Sequence, residues 1–249
     1  MTNTDAPQNA DAPAGSSAKF WMAPLGLLIL VAVGISWMFS SIQAAREAAR
    51  RAECVCNLKL IGLALHNYHD ANGHFPGNIV DRDGNPLLSW RVAILPYTDK
   101  LELYNKFKLD EPWDGPHNKP LLDEVPEFLH CPSRPYPDPT LTNYLGFEGP
   151  RAFFERGAEV KIEGCTDGLP NTLAVVEADK GAPWSKPADL PFDPNAPPSL
   201  HGAGSVHPGG FEALFADGSV RFLMTIISPS TFKALITRNG GEDVHPDMF

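Results

Sequence analysis

The sequence lacks the short motifs that mark common catalytic sites. It contains no phosphate-binding P-loop, no Gly-x-Ser-x-Gly turn, no His-Glu-x-x-His zinc motif and no dinucleotide fingerprint. It also lacks basic charge, since 20 Lys and Arg stand against 30 Asp and Glu for a net charge of −10. Because nucleic-acid binding needs a basic surface, this balance excludes nucleic acid as a partner. We therefore expect neither an enzyme nor a nucleic-acid-binding protein.

Charge is absent altogether from residues 20–39, an apolar stretch near the N-terminus. About 20 apolar residues are enough to cross a bilayer as a helix, so we predict a transmembrane helix at residues 20–40. The stretch is longer than the 7–15 apolar residues typical of a cleaved signal, which favours a retained anchor. Residues 1–19, rich in Ala, Pro, Ser, Asn and Asp, are predicted to form a disordered tail.

The flanking charges leave the topology of this anchor open. Lys19 precedes the apolar stretch, whereas Arg46, Arg50 and Arg51 follow it. The positive-inside rule then favours a cytoplasmic domain, but long domains can cross the membrane regardless of flanking charge.

The helix is predicted to continue past the membrane with one buried face. Helical spacing of i, i+3, i+4 and i+7 places the following residues on that face: Cys54, Leu58, Ile61, Leu65 and Tyr68. Cys56 lies about 200° around the helix from Cys54 and points elsewhere. Asn72 and Gly73 are typical of a helix end.

The remaining sequence, residues 41–249 with this helix, predicts one α+β domain with long Pro-rich loops. Short helices are predicted at 87–95, 101–107 and 114–125, an edge strand at 127–132, and strands at 143–147 and 172–177. Alternating residues at 211–216 and 219–223 flank Asp217 and Gly218, which predicts a hairpin with a type I′ turn. A last helix begins with Ser228 as its cap and Pro229 at its first position.

Several of these segments together carry a resemblance to a known family. They are residues 43–51, Cys54, 57–59, 61–68, 75–76, 89–91, 95–97, 131–133, 167–168, 171–172 and 215–220. His207 precedes Asp217 and Gly218 with nine residues between. Over residues 43–240 the chain resembles the bacterial pilin-like family with a His-x(9)-Asp-Gly motif, a domain of unknown function also filed as bacterial solute-binding protein family ten.

The resemblance implies a pilin-like fold, in which a long N-terminal helix packs its second half on an antiparallel sheet. It also implies a single-pass protein of the cytoplasmic (inner) membrane with its domain on the extracytoplasmic side. Typical members begin with a Gly-Phe-Thr-Leu-x-Glu cleavage segment, but residues 19–24 here read Lys-Phe-Trp-Met-Ala-Pro. We therefore expect an anchor rather than a processed filament subunit.

The four cysteines allow three disulfide connectivities. The resemblance implies the pair Cys54 and Cys131, which would join helix to sheet and add about 4 kcal/mol by loop entropy. Cys56 and Cys165 then pair with each other or stay free. A zinc site of Cys54, Cys56, His130 and Cys131 is excluded, since two of these cysteines leave the helix in opposite directions.

Other candidate ligands are single residues in loops and strands. Calcium bound by a loop carboxylate has four candidates: Asp167, Glu177, Asp179 and Asp217. His207 and Asp217 are expected at opposite ends of the hairpin, where His207 hydrogen-bonds a loop to the sheet and Asp217 makes the turn. No cofactor is expected.

We interpret the whole as a membrane-anchored protein with a structural or protein-interaction role, accessory to a secretion or pilus-like assembly. Its expected partners are the lipid bilayer, other copies of itself and components of such an assembly. The alternative from another class is an anchored receptor that binds a small solute or glycan in the Pro-rich loops at 179–206.

Overall fold

The chain folds into helices and mainly antiparallel strands, as the α+β prediction required, with one short parallel pair of strands, residues 147–148 and 190–191. The computed structural model describes residues 17–133, 138–196, 203–204, 207–242 and 244, with side chains from residue 31 onward. The elements are α1 (Ser17–Asn72), β1 (Ile79–Val80), β2 (Pro86–Leu88), α2 (Trp90–Ala93), α3 (Leu101–Tyr104), β3 (Leu141–Leu145), β4 (Phe147–Glu148), β5 (Leu173–Pro183), β6 (Leu190–Pro191), β7 (Gly210–Phe215), β8 (Val220–Met224) and α4 (Pro229–Ile236). The chain divides into two compact units, Met1–Arg46 and Glu47–Phe249.

The first unit is helical from Ser17 onward. The predicted tail, residues 1–19, lies outside the described residues except for its last three, which are helical in α1. The side chains of residues 20–30, half of the predicted span, also lie outside them. Among the residues that the structure describes, no helix combines the length and apolar character that crossing a bilayer requires.

In the second unit, the predicted face of α1 is buried. Cys54, Leu58 and Ile61 are fully buried, Leu65 is nearly so and Tyr68 is partly buried, whereas Cys56 is exposed. Helix α1 ends at Asn72, as predicted, because Gly73 takes a positive φ of 79° and donates its N–H to the His69 carbonyl at 2.7 Å.

A four-stranded antiparallel sheet in the order β3-β5-β7-β8 forms the centre of this unit. Both faces of the sheet are covered. One buried cluster joins Leu58 of α1 to Leu214 of β7. A second cluster joins Phe211 of β7 to Phe232 of α4. β5 and β7 are therefore buried on both sides, which places any polar side chain that they carry inside the domain.

The hairpin β7–β8 forms where predicted, but its turn is not type I′. A type I′ turn needs a positive φ at both central residues. Gly218 has a φ of 83°, but the φ of Asp217 is not positive. The Gly218 N–H bonds the Phe215 carbonyl at 3.0 Å and the Phe215 N–H bonds the Ser219 carbonyl at 2.9 Å. This is the three-residue loop closed by a glycine, the next most common hairpin connection.

Several other local predictions were wrong. The helix expected at 114–125 is only a 3-10 helix at Lys119–Asp123. The expected edge strand at 127–132 begins instead as a 3-10 helix, Glu127–Leu129, because Pro126 provides its N-cap and starts the turn. The expected helix at 87–95 is divided between β2 and α2 by Ser89, whose side chain caps α2. β5 also continues to Pro183, beyond the predicted strand and into the segment predicted to be an irregular loop.

Candidate functional site

Four buried side chains with metal-binding chemistry meet where α1 packs on the sheet. Cys54 comes from α1, Cys131 from the segment after Glu127–Leu129, Glu177 from β5, and His207 from the approach to β7. Their ligand atoms all lie within 4.8 Å of one another, and all four residues are buried. We refer to these four residues as the buried cluster.

A tight turn brings His207 into the cluster. The N–H and carbonyl groups of His207 and Gly210 bond each other at 3.1 and 3.2 Å, which folds the chain back at the start of β7. Gly209 in this turn has φ 87°, a conformation that L side chains rarely adopt. Gly210 is equally constrained, since an added Cβ would lie 2.2 Å from the Leu223 carbonyl oxygen.

The two cysteines of the cluster lie in contact but are not bonded. Their Sγ atoms are 2.6 Å apart and both thiols are free, whereas a disulfide bond is about 2.05 Å long. The hydrogen bond from Cys54 lowers the pKa of the Cys131 thiol to about 7. The same bond, together with burial, raises the pKa of Cys54. The structure thus brings the predicted pair together, and the disulfide itself stays a prediction.

His207 lies between two carboxylates. Its Nδ1 is 2.7 Å from Glu47 Oε1 on α1, and its Nε2 is 3.3 Å from Glu177 Oε2 on β5. Burial lowers the pKa of His207, but its close contacts with Cys131, Glu177 and Glu47 outweigh it and raise the pKa to about 10. The predicted role of His207, to bond a loop to the sheet, stays a prediction: its Nε2 lies beside Glu177 of β5, and its hydrogen bond with Glu47 on α1 was not predicted.

Some polar atoms of the cluster have no partner. Among the described residues, His207 Nε2 and Glu177 Oε1 are buried without a hydrogen bond, as is the hydroxyl of Tyr144 on the adjacent strand. The other Glu177 oxygen accepts the backbone N–H of Glu212 at 2.8 Å. Buried polar groups without a partner are rare in folded proteins and call for an explanation.

A second buried ionic group lies elsewhere in the domain and is fully bonded. The guanidinium of Arg91 donates to the Tyr144 carbonyl at 3.0 Å, to Ser89 Oγ at 2.6 Å and to Asp189 Oδ1 at 2.6 Å. Asp189 also accepts the backbone N–H of Gly146 at 2.8 Å. Arg91 and Asp189 have no exposed side-chain surface.

Comparison with known proteins places the chain in a family. The family model named SBP_bac_10, described as a protein of unknown function (DUF1559), matches residues 43–151 and 183–230, more than half of the chain. The chain belongs to this family. No match was found among the curated proteins or among the solved structures. Cys54, Cys131 and His207 lie in the segments matched by the DUF1559 model, and Glu177 lies between them.

The zinc site that the sequence analysis excluded shares two residues, Cys54 and Cys131, with the buried cluster of this DUF1559 protein. Cys56 is exposed, as its position on the helix predicted, so it takes no part. The other two members of the buried cluster are Glu177 and His207, whereas those of the rejected set were Cys56 and His130. Cys165 is buried and free, with its Sγ 3.8 Å from the Lys161 carbonyl, and its pairing with Cys56 stays a prediction.

The other calcium candidates have separate structural roles. Asp167 accepts the N–H groups of Gly240 and Gly241 at 2.6 and 2.9 Å. Asp217 accepts the N–H of Ser219 at 2.9 Å in the hairpin turn, at the opposite end of β7 from His207 as expected. Asp179 lies beside Gly204. Glu177 belongs to the buried cluster, where sulfur neighbours do not suit calcium, which takes oxygen ligands.

The receptor hypothesis placed a ligand in the loops at 179–206. Residues 197–202 and 205–206 of that segment lie outside the described residues, so the hypothesis stays a prediction. A cleft of about 280 Å³ does open elsewhere, between the β1–β2 hairpin and residues 154–159, with Tyr68 and Val80 in its wall. That volume is at the lower end for a small-molecule site.

Sequence reasoning named every member of the buried cluster but brought together only Cys54 and Cys131. Glu177 was considered for calcium and His207 as a motif residue, and Glu47 was given no role in a site. One signal could have joined them: Glu177 ends a run of apolar residues predicted to be a buried strand. A carboxylate in such a run requires a buried partner.

Proposed function

We propose that this DUF1559 protein is a single-pass, membrane-anchored protein with a pilin-like domain and a structural or protein-interaction role. The domain would lie on the extracytoplasmic side of the cytoplasmic membrane. There it would contact other copies of the chain or components of a secretion or pilus-like assembly. The observation that supports this most is a row of exposed apolar side chains on α1 between residues 31 and 42.

These side chains are large and open to the surroundings. Their exposed fractions run from 44% to 78%: Val31, Val33, Ile35, Trp37, Met38, Phe39 and Ile42. A soluble protein rarely leaves so many neighbouring apolar side chains in water, because hydration of apolar surface is unfavourable. Residues 20–39 also carry no charge, so the same helix would meet lipid without burying an ion.

The pilin-like part of the proposal is supported by the packing of residues 47–72 of α1 on one face of the antiparallel sheet. His66 Nε2 lies 2.9 Å from the Ala216 carbonyl in the β7–β8 turn. Gly62 lies so close to the same hairpin that an added Cβ would come within 2.9 Å of Leu214 Cδ1. Helix and hairpin therefore pack as one body within this unit.

A vesicle flotation experiment with the full chain tests the anchor. We expect the wild-type chain to float with phospholipid vesicles and to resist carbonate extraction. The double variant Val31→Asp with Val33→Asp should stay largely in the soluble fraction, since each aspartate near the centre of the predicted span opposes insertion by about 2.5–3.5 kcal/mol. Ile226→Asp is the matched control, since Ile226 is 81% exposed on the other unit and should have no effect.

Two outcomes would contradict the anchor. One is a wild-type chain that is monodisperse without lipid or detergent. The other is a loss of flotation in Ile226→Asp as large as in the double variant.

The interaction role and the topology need intact cells. Crosslinking in membranes should give multimers of the chain or adducts with assembly components, and protease added to spheroplasts should digest the domain. Crosslinking that yields only monomer, together with a ligand screen that raises the melting temperature, would favour the receptor class instead. Protection of the domain from protease would place it on the cytoplasmic side and overturn the proposed topology.

A further inference from the structure

We propose that Cys54, Cys131, Glu177 and His207 bind one zinc ion, through both sulfur atoms, His207 Nε2 and the Glu177 carboxylate. Two thiolates, one imidazole and one carboxylate are ligand types that zinc takes in four-coordinate protein sites. The four ligand atoms already lie within 4.8 Å of one another. This inference concerns the domain alone and does not depend on the membrane anchor.

The spacing of the ligand atoms suits a tetrahedral ion after a small adjustment. Zinc lies about 2.0–2.1 Å from nitrogen and oxygen, which puts two such ligands about 3.3 Å apart. His207 Nε2 and Glu177 Oε2 are 3.3 Å apart. Zinc lies about 2.3 Å from sulfur, so two sulfur ligands would be about 3.7 Å apart. The two Sγ atoms, now 2.6 Å apart, would have to separate by about 1 Å.

Groups around the cluster hold the ligands as a metal site requires. Glu47 Oε1 is 2.7 Å from His207 Nδ1, so an Nδ1–H donated to Glu47 leaves Nε2 with its lone pair towards the cluster. This carboxylate–histidine arrangement is the common support of zinc-bound histidine. The backbone N–H of Glu212 fixes Glu177 through Oε2 and leaves Oε1 without a hydrogen bond.

A disulfide between Cys54 and Cys131 explains less of the cluster than a metal ion does. Such a bond would use only the two sulfur atoms. His207 Nε2 and Glu177 Oε1 would remain buried without a hydrogen bond. One zinc ion binds His207 Nε2 and the Glu177 carboxylate as well as the two thiolates.

Zinc binding at this cluster needs no redox partner. Two S–H protons, and any proton on His207 Nε2, pass to solvent as four ligand-to-metal bonds form, and zinc stays divalent. All four ligands come from the protein and all are buried, so the coordination shell is closed to substrate. The ion would be structural, and it would tie α1 to β5 and to the start of β7.

Cobalt(II) substitution tests the site in the full chain, purified in detergent with a thiol reductant and freed of metal. We expect one equivalent of cobalt per chain, with the visible bands of a tetrahedral ion and a thiolate-to-cobalt band in the near ultraviolet. Zinc should displace it. Cys54→Ser and His207→Ala should lose these bands, and Cys56→Ser should keep them, because Cys56 is exposed outside the cluster.

Glu177→Gln separates ligation from folding, since it keeps the shape of the side chain. With an unchanged circular dichroism spectrum, it should bind zinc at least tenfold more weakly. A reduced wild-type chain that takes up neither cobalt nor zinc would overturn the proposal. So would bands that survive in both Cys54→Ser and His207→Ala, or wild-type zinc affinity in a folded Glu177→Gln. Zinc found in the chain isolated from cells, at one ion per chain, would support it.

Discussion

The Arg91–Asp189 pair and the buried cluster are both ionic groups inside the same domain, yet their polar atoms are bonded differently. The pair finds its donors and acceptors within the chain, from Ser89, the Tyr144 carbonyl and the Gly146 N–H. In the cluster, two side-chain atoms facing the thiols have no hydrogen bond. Tyr144 touches both sites, with its carbonyl bonded at the first and its hydroxyl unbonded near the second.

This difference separates two uses of buried charge. A buried ion pair is tolerated when its geometry is good and every remaining polar atom is bonded, as it is around Arg91. Such a pair should respond little to metal ions or reductants. The cluster should respond to both, because its two thiols lie in contact and one atom each of its histidine and its carboxylate has no hydrogen bond.

Asp189→Ala should be the most damaging change. It leaves the Arg91 guanidinium, with no exposed surface, without its counter-ion, and breaking such a pair costs about 3–5 kcal/mol. Urea denaturation followed by circular dichroism measures the loss. If the free energy of unfolding decreases by less than about 1 kcal/mol, water reaches the pair.

Glu47→Gln should weaken zinc binding by about 10–100-fold, because Glu47 supports the histidine and is not itself a ligand. That is about 1.4–2.7 kcal/mol of binding free energy. Competition with a chromogenic chelator measures the affinity. Glu53→Gln is the control, since Glu53 is exposed on the same helix. Equal affinities in the two variants would contradict the supporting role of Glu47.

Ser89→Ala should destabilise the domain by about 1–2 kcal/mol. It removes the acceptor of both the Arg91 Nη1–H and the Arg91 backbone N–H, at 2.6 and 3.2 Å. Ser185→Ala is a matched control, because Ser185 is equally buried but its hydroxyl has no hydrogen bond. Denaturation should show Ser185→Ala unchanged or slightly more stable, and equal losses in both would contradict the reasoning.

Lys106→Ala should have the smallest effect, no more than about 1 kcal/mol. Its partner is Glu124, and the two side chains are 51% and 45% exposed, so water and salt screen the pair. Melting temperatures of the wild type and the variant in low and high salt measure the contribution of this pair to stability. A loss of stability comparable to that of Asp189→Ala would show that burial does not determine how much an ion pair contributes in this domain.

The parts of the fold that depend on local periodicity were predictable from the sequence. The stripe from Cys54 to Leu65 repeats at the helical period, and one buried face of a helix follows from that alone. Ser228 and Pro229 start α4 as predicted, since the Ser228 hydroxyl accepts the N–H of Thr231 at 3.0 Å. The turn type at Asp217 was missed, because a three-residue loop and a two-residue loop share the same Asp-Gly signal.

The buried cluster depends on contacts between distant parts of the chain, which no local pattern encodes. Cys54 and Cys131 were paired through the family resemblance. Glu177 and His207 reach them only because β5 and β7 are neighbours at the centre of the sheet. His207 also needs the tight turn at Gly209 to reach the cluster. A glycine in the sequence does not predict which residues such a turn brings together.

The spacing of the cluster along the chain also sets the order in which its members are made. The two sulfurs belong to residues 77 apart, whereas Glu47 and His207 are 160 apart. On a chain synthesised from its N-terminus, Cys131 exists before Glu177, and His207 arrives last. An oxidant that meets the growing chain in that interval can join the two sulfurs before the other ligands exist. Oxidation at that stage would join Cys54 to Cys131 before the chain has made His207, so the order of synthesis gives a disulfide an earlier opportunity than a four-residue metal site.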